Sequence, residues 1–130
     1  MKILFLCKHN RFRSKVAETI FNKLSNDKAE SAGLHLDELR PYVEENVIEI
    51  MKEKGYEIGG VPRKFNKEMI KNFDLIVVVV DDVDLSGFKG KMIKWKIPDC
   101  NANDIVKIRE IIDEIEEKVK KLISDLDKKV

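Results

Sequence analysis

Residues 7–14, Cys-Lys-His-Asn-Arg-Phe-Arg-Ser, combine side chains that can act on an anion. An apolar run, residues 3–6, precedes them, and an amphipathic segment beginning near Lys15 follows. A loop between a strand and a helix can turn its backbone N–H groups toward one point, where the helix dipole adds positive potential. Arg13 would offer a planar fork to two oxygens of a tetrahedral oxyanion, and Cys7 would lie beneath as a thiolate. The pattern predicts a phosphate-type anion held against a sulfur nucleophile.

Cys7 alone has a simpler explanation, since a cysteine at the end of a buried strand is commonly a small core residue. Arg13 and Ser14 at this spacing favour the nucleophile instead. With Asn10 three residues after the cysteine, the motif resembles the low-molecular-weight protein tyrosine phosphatases and their relatives, the thioredoxin-coupled arsenate reductases. The resemblance extends through nearly the whole chain. It implies a four-stranded parallel sheet with helices on both faces and a phosphate-binding loop between the first strand and the first helix.

Hydrophobic patterns along the chain predict the elements that must position this loop. Strands are predicted at residues 2–6, 29–32, 75–80 and 91–95, with helices over about 15–24, from Pro41 to Gly55, over 67–73 and from Asp104 onward. The second helix would place Val43, Val47, Ile48 and Met51 on its apolar face. This alternation indicates an α/β domain with a mostly parallel sheet and right-handed crossovers.

The apolar stripe of the last helix, spaced by three and four residues from Ile105 to Leu126, has two interpretations. It can cover one face of the sheet, which we favour, or form a coiled-coil seam, which needs more heptads than the stripe contains.

Ligands of parallel α/β sheets bind at the carboxyl ends of the strands, so Cys7, Gly33, Asp81, Asp82 and Asp99 should gather at one edge. Displacement at phosphorus by a thiolate needs an acid for the leaving oxygen, and topology leaves all three aspartates open. The resemblance selects Asp99, because the family's acid lies in a loop beyond the fourth strand. Asp81 and Asp82 are then read as solvated charges at a strand end.

The remaining loop residues are assigned to phosphate binding. Ser14 would donate a hydrogen bond to the sulfur, and Asn10 would brace the loop. His9 replaces the glycine usual in the phosphatases and is predicted to point to solvent. The predicted phosphate-binding set is Lys8, His9, Asn10, Arg11, Phe12 and Ser14.

Several positions depart from the phosphatase pattern. Cys100 replaces the proline that usually follows the acid, and Asn101 replaces an aromatic residue, which weakens the case for phosphotyrosine unless Tyr42 or Phe65 supplies an aromatic wall. Phe12 replaces a second loop cysteine, so the vicinal disulfide of that family cannot form.

Cys7, Arg13 and Asp99, with the resemblance, predict a phosphatase that hydrolyses phosphomonoesters, such as protein phosphotyrosine or another aryl phosphate, through a cysteinyl-phosphate intermediate. Arsenate reduction is the main alternative function, because arsenate fits the same kind of loop. The resemblance implies two further cysteines after the third strand, but residues 81–91 contain none. Only Cys100 could resolve a Cys7 adduct, with thioredoxin or glutaredoxin as the reductant, and a Cys7–Cys100 disulfide is a hypothesis. The alternative, which the sequence favours at least equally, is that Cys100 is an ordinary small residue of a loop. A non-catalytic phosphate-binding module is a third possibility, disfavoured by the complete set of Cys7, Arg13 and Asp99.

Length and composition limit the remaining classes. The 130 residues predict a single domain, 1–130, and the net charge of +1 gives no field that favours nucleic acid or membrane. The N-terminus lacks the layout of a signal peptide, and two cysteines do not make a disulfide scaffold, so cytoplasm is expected. No metal and no cofactor is predicted. The expected partners are a phosphorylated protein or small phosphomonoester, and inorganic phosphate or another oxyanion.

Overall fold

The structure is a computed structural model that describes residues 1–81 and 91–128. The strands are β1 Lys2–Cys7, β2 Lys28–Gly33, β3 Leu75–Val79 and β4 Met92–Trp95. The α-helices of the described residues are α1 Arg13–Leu24, α2 Glu45–Glu53 and α3 Ile105–Asp127, and a 3-10 helix spans Lys67–Asn72. The strands form one parallel sheet in the order β2-β1-β3-β4, as predicted.

Strand β1 lies inside the sheet, between β2 and β3, and carries Cys7 at its carboxyl end. Residues 3–6 are all fully buried, because alternate side chains enter two different hydrophobic clusters. Ile3 and Phe5 point to one face of the sheet, and Leu4 and Leu6 point to the other. A strand buried on both faces needs a continuous apolar run, which is what the sequence supplies.

All three α-helices of the described residues pack on the Phe5 face of the sheet. The Phe5 ring meets Phe21 of α1 edge-on at a centroid distance of 6.0 Å and lies 5.7 Å from Trp95 of β4. The buried stripe of α3 belongs to this same cluster: Ile108, Ile111, Ile112, Ile115, Val119 and Leu122. The stripe therefore covers the sheet, as we favoured, except at its predicted first residue, Ile105, which is 38% exposed. The buried side chains of the stripe already pack within this chain.

The Leu4 face is covered by the segment that leads into β3. Met69 and Ile70 of the 3-10 helix, together with Phe73, pack against the cluster formed by β1 and β3. Asn66 caps this short helix by accepting a hydrogen bond from the backbone N–H of Glu68. The predicted helices on both faces are thus present, although among the described residues the helix on this face is of the 3-10 type.

The start of α2 was predicted wrongly. Pro41 does not begin the helix, which starts at Glu45, because the Tyr42 carbonyl accepts a hydrogen bond from the Arg11 side chain and residue 44 is tied to the same arginine. The prediction for Ile48 on the apolar face is also wrong, since Ile48 is 37% exposed and Ile50 lies in the core instead.

The other element boundaries agree with the prediction to within about two residues. Gly55 follows the end of α2 with a φ of 91°, a left-handed conformation that glycine adopts readily. Asp82, one of the predicted edge carboxylates, lies outside the described residues. Across residues 1–81 and 91–128, every helix is too short or too polar to cross a bilayer.

Candidate active site

The loop after β1 wraps around the Cys7 sulfur. Cys7 is 2% exposed, and the backbone N–H of Asn10 donates a hydrogen bond to its Sγ over 3.3 Å. Ser14 Oγ lies 2.9 Å from the same sulfur. Because Arg13 and Ser14 are the first two residues of α1, the positive end of that helix adjoins the loop. Backbone N–H, hydroxyl and helix dipole all favour negative charge on the sulfur or on a group bound to it.

Asn10 is the residue on which the loop's hydrogen bonds converge. It is fully buried with a φ of 56°, and its Nδ2 donates to Ser14 Oγ at 2.7 Å and to Ser31 Oγ at 2.9 Å. Its Oδ1 accepts from the backbone N–H of Arg63 at 2.9 Å. Since Ser14 Oγ already accepts from Asn10, its own hydrogen is free to point at Cys7 Sγ. The bracing predicted for Asn10 is therefore present, and it also orients the hydroxyl beside the sulfur.

Replacing Asn10 with alanine should lower the free energy of unfolding by about 3 kcal/mol. The change removes three hydrogen bonds, leaves buried partners unsatisfied and places a Cβ-bearing residue without a polar side chain at positive φ. Urea unfolding measures the loss. Asn10→Gly is the matched comparison, because it relieves the backbone strain but restores none of the bonds. Equal stability of the alanine variant and the parent protein would contradict this account.

Gly33, at the end of β2, lets that strand pass directly beneath the loop. A Cβ at this position would lie 2.8 Å from the backbone carbon of His9 and 2.9 Å from the backbone nitrogen of Asn10, distances that real Cβ atoms do not show. The next two residues continue along the loop, since Leu34 N donates to the Cys7 carbonyl and His35 N to the Lys8 carbonyl. The loop is thus fixed from below by backbone contacts.

Arg13 joins the loop to the segment that carries the predicted acid. Its side chain is 4% exposed, and Nη1 donates to the Ile97 carbonyl over 2.8 Å. Nη1 lies 3.7 Å from Asp81, and Nη2 lies 3.9 Å from Asp99. Asp99 is about half exposed, and its Oδ1 accepts from the backbone N–H of Cys100. Asp81, read from sequence as a solvated charge, therefore also faces the arginine.

Arg11 belongs to the loop but binds the segment before α2. Its Nε donates to the Tyr42 carbonyl over 2.9 Å, its Nη2 pairs with Glu44, and its guanidinium stacks 5.2 Å from the Tyr42 ring. The backbone N–H of Glu44 donates back to the Arg11 carbonyl at 3.4 Å. These contacts make the segment before α2 into one wall of a cavity above Cys7.

The cavity above Cys7 brings together residues from the loop, from residues 40–47 and from residues 99–108. Its lining residues are Cys7, His9, Arg11, Phe12, Arg13, Arg40, Glu44, Val47, Asp99, Cys100, Ala102 and Ile108. The proposed nucleophile, the proposed oxyanion-binding arginine and the proposed acid therefore face one space. The sequence did not predict that Arg40, Glu44, Val47, Ala102 and Ile108 would line this cavity, because each has the pattern of an ordinary surface or core residue.

The loop residues assigned to phosphate binding fall into three groups. His9, Arg11 and Phe12 line the cavity, Asn10 and Ser14 are buried beneath it, and the Lys8 side chain is exposed. His9 does not simply point to solvent. Its Nδ1 lies 2.6 Å from the His35 carbonyl, so this nitrogen must carry the proton and donate.

The aromatic wall suggested for Tyr42 or Phe65 is not formed by either residue. Tyr42 is 54% exposed and stacks on Arg11, and Phe65 lies in the hydrophobic cluster on the opposite face of the sheet. Phe12, which is 8% exposed, is the aromatic residue that lines the cavity in the described part of the chain.

Cys100 shares the cavity with Cys7, and both are free thiols. Its side chain is partly buried against the core. Burial raises the pKa of the Cys100 thiol, and the nearby carboxylates of Asp99 and Asp104 raise it further.

Alkylation of Cys100 by iodoacetamide should therefore be slow at neutral pH and accelerate about tenfold per pH unit well into the alkaline range, following the thiolate fraction. Peptide mass spectrometry on the Cys7→Ser variant isolates the reaction of Cys100. A rate already at its plateau near pH 7 would contradict the raised pKa.

Side chains that could hold a metal ion are not grouped in the described residues: nowhere in residues 1–81 and 91–128 do three or more histidines, cysteines or carboxylates cluster for that purpose.

Comparison with known proteins finds similar folds among both arsenate reductases and phosphatases. An arsenate reductase from Archaeoglobus fulgidus is 34% identical, with a TM-score of 0.81 over 94% of this chain and 98% of the other. The arginine phosphatase YwlE from Geobacillus stearothermophilus is 23% identical (TM-score 0.85, 98% and 94% covered). A low molecular weight protein tyrosine phosphatase from T. tengcongensis is 22% identical (TM-score 0.77, 96% and 99% covered). The last two likenesses show the fold alone.

The family comparison covers almost all of the sequence. A model described as "Low molecular weight phosphotyrosine protein phosphatase" matches residues 2–130. Its members are cysteine-based enzymes, and both phosphatases and arsenate reductases occur among the structural neighbours. With the matching sheet and the loop that surrounds Cys7, this chain belongs to the low-molecular-weight phosphotyrosine protein phosphatase family.

Proposed function

We propose that this protein is a cysteine-dependent phosphatase that hydrolyses phosphomonoesters, with protein phosphotyrosine or another aryl phosphate as substrate. The observation that carries the proposal is the meeting of Cys7, Arg13 and Asp99 in one cavity at the N-terminus of α1. These side chains supply a nucleophile, a bidentate donor for the phosphoryl oxygens and a proton donor.

In the first step, the Cys7 thiolate attacks phosphorus in line, and the bond from phosphorus to the ester oxygen breaks. Asp99 protonates that oxygen as it leaves, and a cysteinyl-phosphate remains. Arg13 and the loop N–H groups hold the phosphoryl oxygens, which carry the transition-state charge.

In the second step, water attacks phosphorus while the Asp99 carboxylate takes its proton. The sulfur–phosphorus bond breaks and returns the thiolate. Ser14 Oγ, 2.9 Å from the sulfur, donates a hydrogen bond that makes the sulfur a better leaving group. The reaction needs no cofactor, and we place it in the cytoplasm.

Arsenate reduction is the second candidate, supported by the relative from A. fulgidus and by the second thiol in the cavity. Here the Cys7 thiolate displaces a protonated oxygen of arsenate as water. The Cys100 thiolate then attacks the Cys7 sulfur, so that arsenite leaves as arsenic(III) and the two thiols become a disulfide. Thioredoxin or glutaredoxin would supply the two electrons that restore both thiols.

A paired assay on one preparation distinguishes the two reactions. It follows hydrolysis of p-nitrophenyl phosphate, and arsenate reduction with thioredoxin or glutaredoxin supplied. Hydrolysis that needs Cys7 but survives Cys100→Ser supports the phosphatase. Arsenate turnover that needs both cysteines supports the reductase. Phosphate binding without either turnover would leave the non-catalytic binding module.

A further inference from the structure

The segment that carries Asp99 depends on contacts with other elements for its position. It runs from the end of β4 to the start of α3 without regular secondary structure, and Asp99 itself is about half exposed. A general acid works only when its proton is held within hydrogen-bonding reach of the leaving oxygen. The contacts on either side of Asp99 therefore decide where its carboxyl group stands.

Within residues 1–81 and 91–128, side chains of α1 and α2 each donate a hydrogen bond to this segment. On the N-terminal side, Arg13 Nη1 donates to the Ile97 carbonyl at 2.8 Å, and Ile97 is fully buried. On the C-terminal side, Asn46 Nδ2 donates to the Ala102 carbonyl at 2.8 Å. Asp99 lies between these two points. The first hydrogen bond fixes the backbone before Asp99, and the second fixes the backbone after it.

The position of Asn46 is itself fixed relative to the loop around Cys7. It is the second residue of α2, directly after the Glu44–Glu45 junction where Glu44 pairs with Arg11. Val47, the next residue, is 1% exposed in the core and lines the cavity. Contacts through Arg11, Glu44 and Asn46 thus connect the loop around Cys7 to the backbone after Asp99. These contacts are separate from those that Arg13 makes before Asp99.

We propose that Asn46 is a positioning residue, whose hydrogen bond to the Ala102 carbonyl holds Asp99 in reach of the leaving oxygen above Cys7. This inference rests on the proposed phosphatase function. Asn46 does not touch the substrate and acts only through the segment it holds. Its amide is suited to the task because it offers a neutral donor without bringing a charge next to the acid.

The test compares two esters that differ in their need for an acid. Phenyl phosphate has a poor leaving group and needs protonation, whereas the nitrophenolate of p-nitrophenyl phosphate leaves readily without it. Asn46→Leu keeps the approximate size but removes the donor. We expect kcat/KM for phenyl phosphate to fall about tenfold and that for p-nitrophenyl phosphate by less than about twofold. Because kcat/KM reports the steps up to cysteinyl-phosphate formation, it isolates the protonated step.

Asn22 provides the matched control, since its side chain also ties two elements together by hydrogen bonds to backbone, at Ala29 N and O, but lies at the far end of α1. Asn22→Leu should lower stability and leave the ratio of the two kcat/KM values unchanged. Asn46→Ala is measured in parallel, so that a folding failure of one variant still leaves a ratio to compare.

An unchanged ratio in folded Asn46 variants, or an equal loss for both esters, would overturn the role of Asn46 while leaving the phosphatase intact. A parent protein that hydrolyses neither ester would overturn the proposed function, and this inference with it.

Discussion

Cys7→Ser should abolish hydrolysis of p-nitrophenyl phosphate, with kcat falling on the order of 10⁶-fold, while phosphate binding persists. Deleting a catalytic nucleophile costs about this much elsewhere. The serine keeps the size of the side chain, and the loop N–H groups and Arg13 remain to bind the anion. Turnover is followed by absorbance, and binding by the rise in Tm that phosphate produces.

Cys100→Ser is the control for this variant, because it removes the other thiol of the same cavity. Under the phosphatase mechanism it should hydrolyse the ester at nearly the parental rate. Full activity in Cys7→Ser would rule out the covalent mechanism. Loss of both activity and phosphate binding would instead show that the substitution had disrupted the loop, which urea unfolding would detect.

Asp99→Asn should lower kcat/KM for phenyl phosphate by roughly 10²–10³-fold, within the range of general acid catalysis. The amide fills the same space but has no proton to give to the leaving oxygen. With p-nitrophenyl phosphate the loss should be much smaller. Steady-state kinetics with the two esters measures both effects.

Asp81→Asn is a closely matched control for the acid. Asp81 and Asp99 lie 3.7 and 3.9 Å from the Arg13 guanidinium, and both are about half exposed. If Asp99 acted only by holding Arg13, both variants would lose activity alike and for both esters. A loss confined to Asp99→Asn, and largest with the poor leaving group, identifies the proton donor.

The strands and the loop were predictable because their signals are local. Continuous apolar runs mark β1 and β3, and a cysteine, an arginine and a serine at fixed spacing mark the junction to α1. The parallel sheet then brings Cys7 and Asp99 to one edge without further information. Topology alone could not choose among the aspartates, and the structure adds that Asp81 also approaches Arg13.

The walls of the cavity were not predictable, because they depend on contacts between residues distant in the chain. Pro41 has the local character of a helix start, but Arg11, 31 positions before Tyr42, draws that segment into the loop. Asn46 to Ala102 spans 56 positions. Polar side chains are common at the start of helices, so the sequence does not show that Asn46 bonds to a distant carbonyl.

The buried hydrogen bonds around Asn10 also have a thermodynamic consequence for ligand binding. Asn10, Ser14, Ser31 and the backbone beneath them are already arranged around the sulfur, with their mutual contacts made. The conformational entropy of the loop is therefore lost when the protein folds. Binding of an anion does not have to offset this entropic cost a second time. Because of this preorganisation, a small anion that makes only a few contacts can still bind with a favourable free energy.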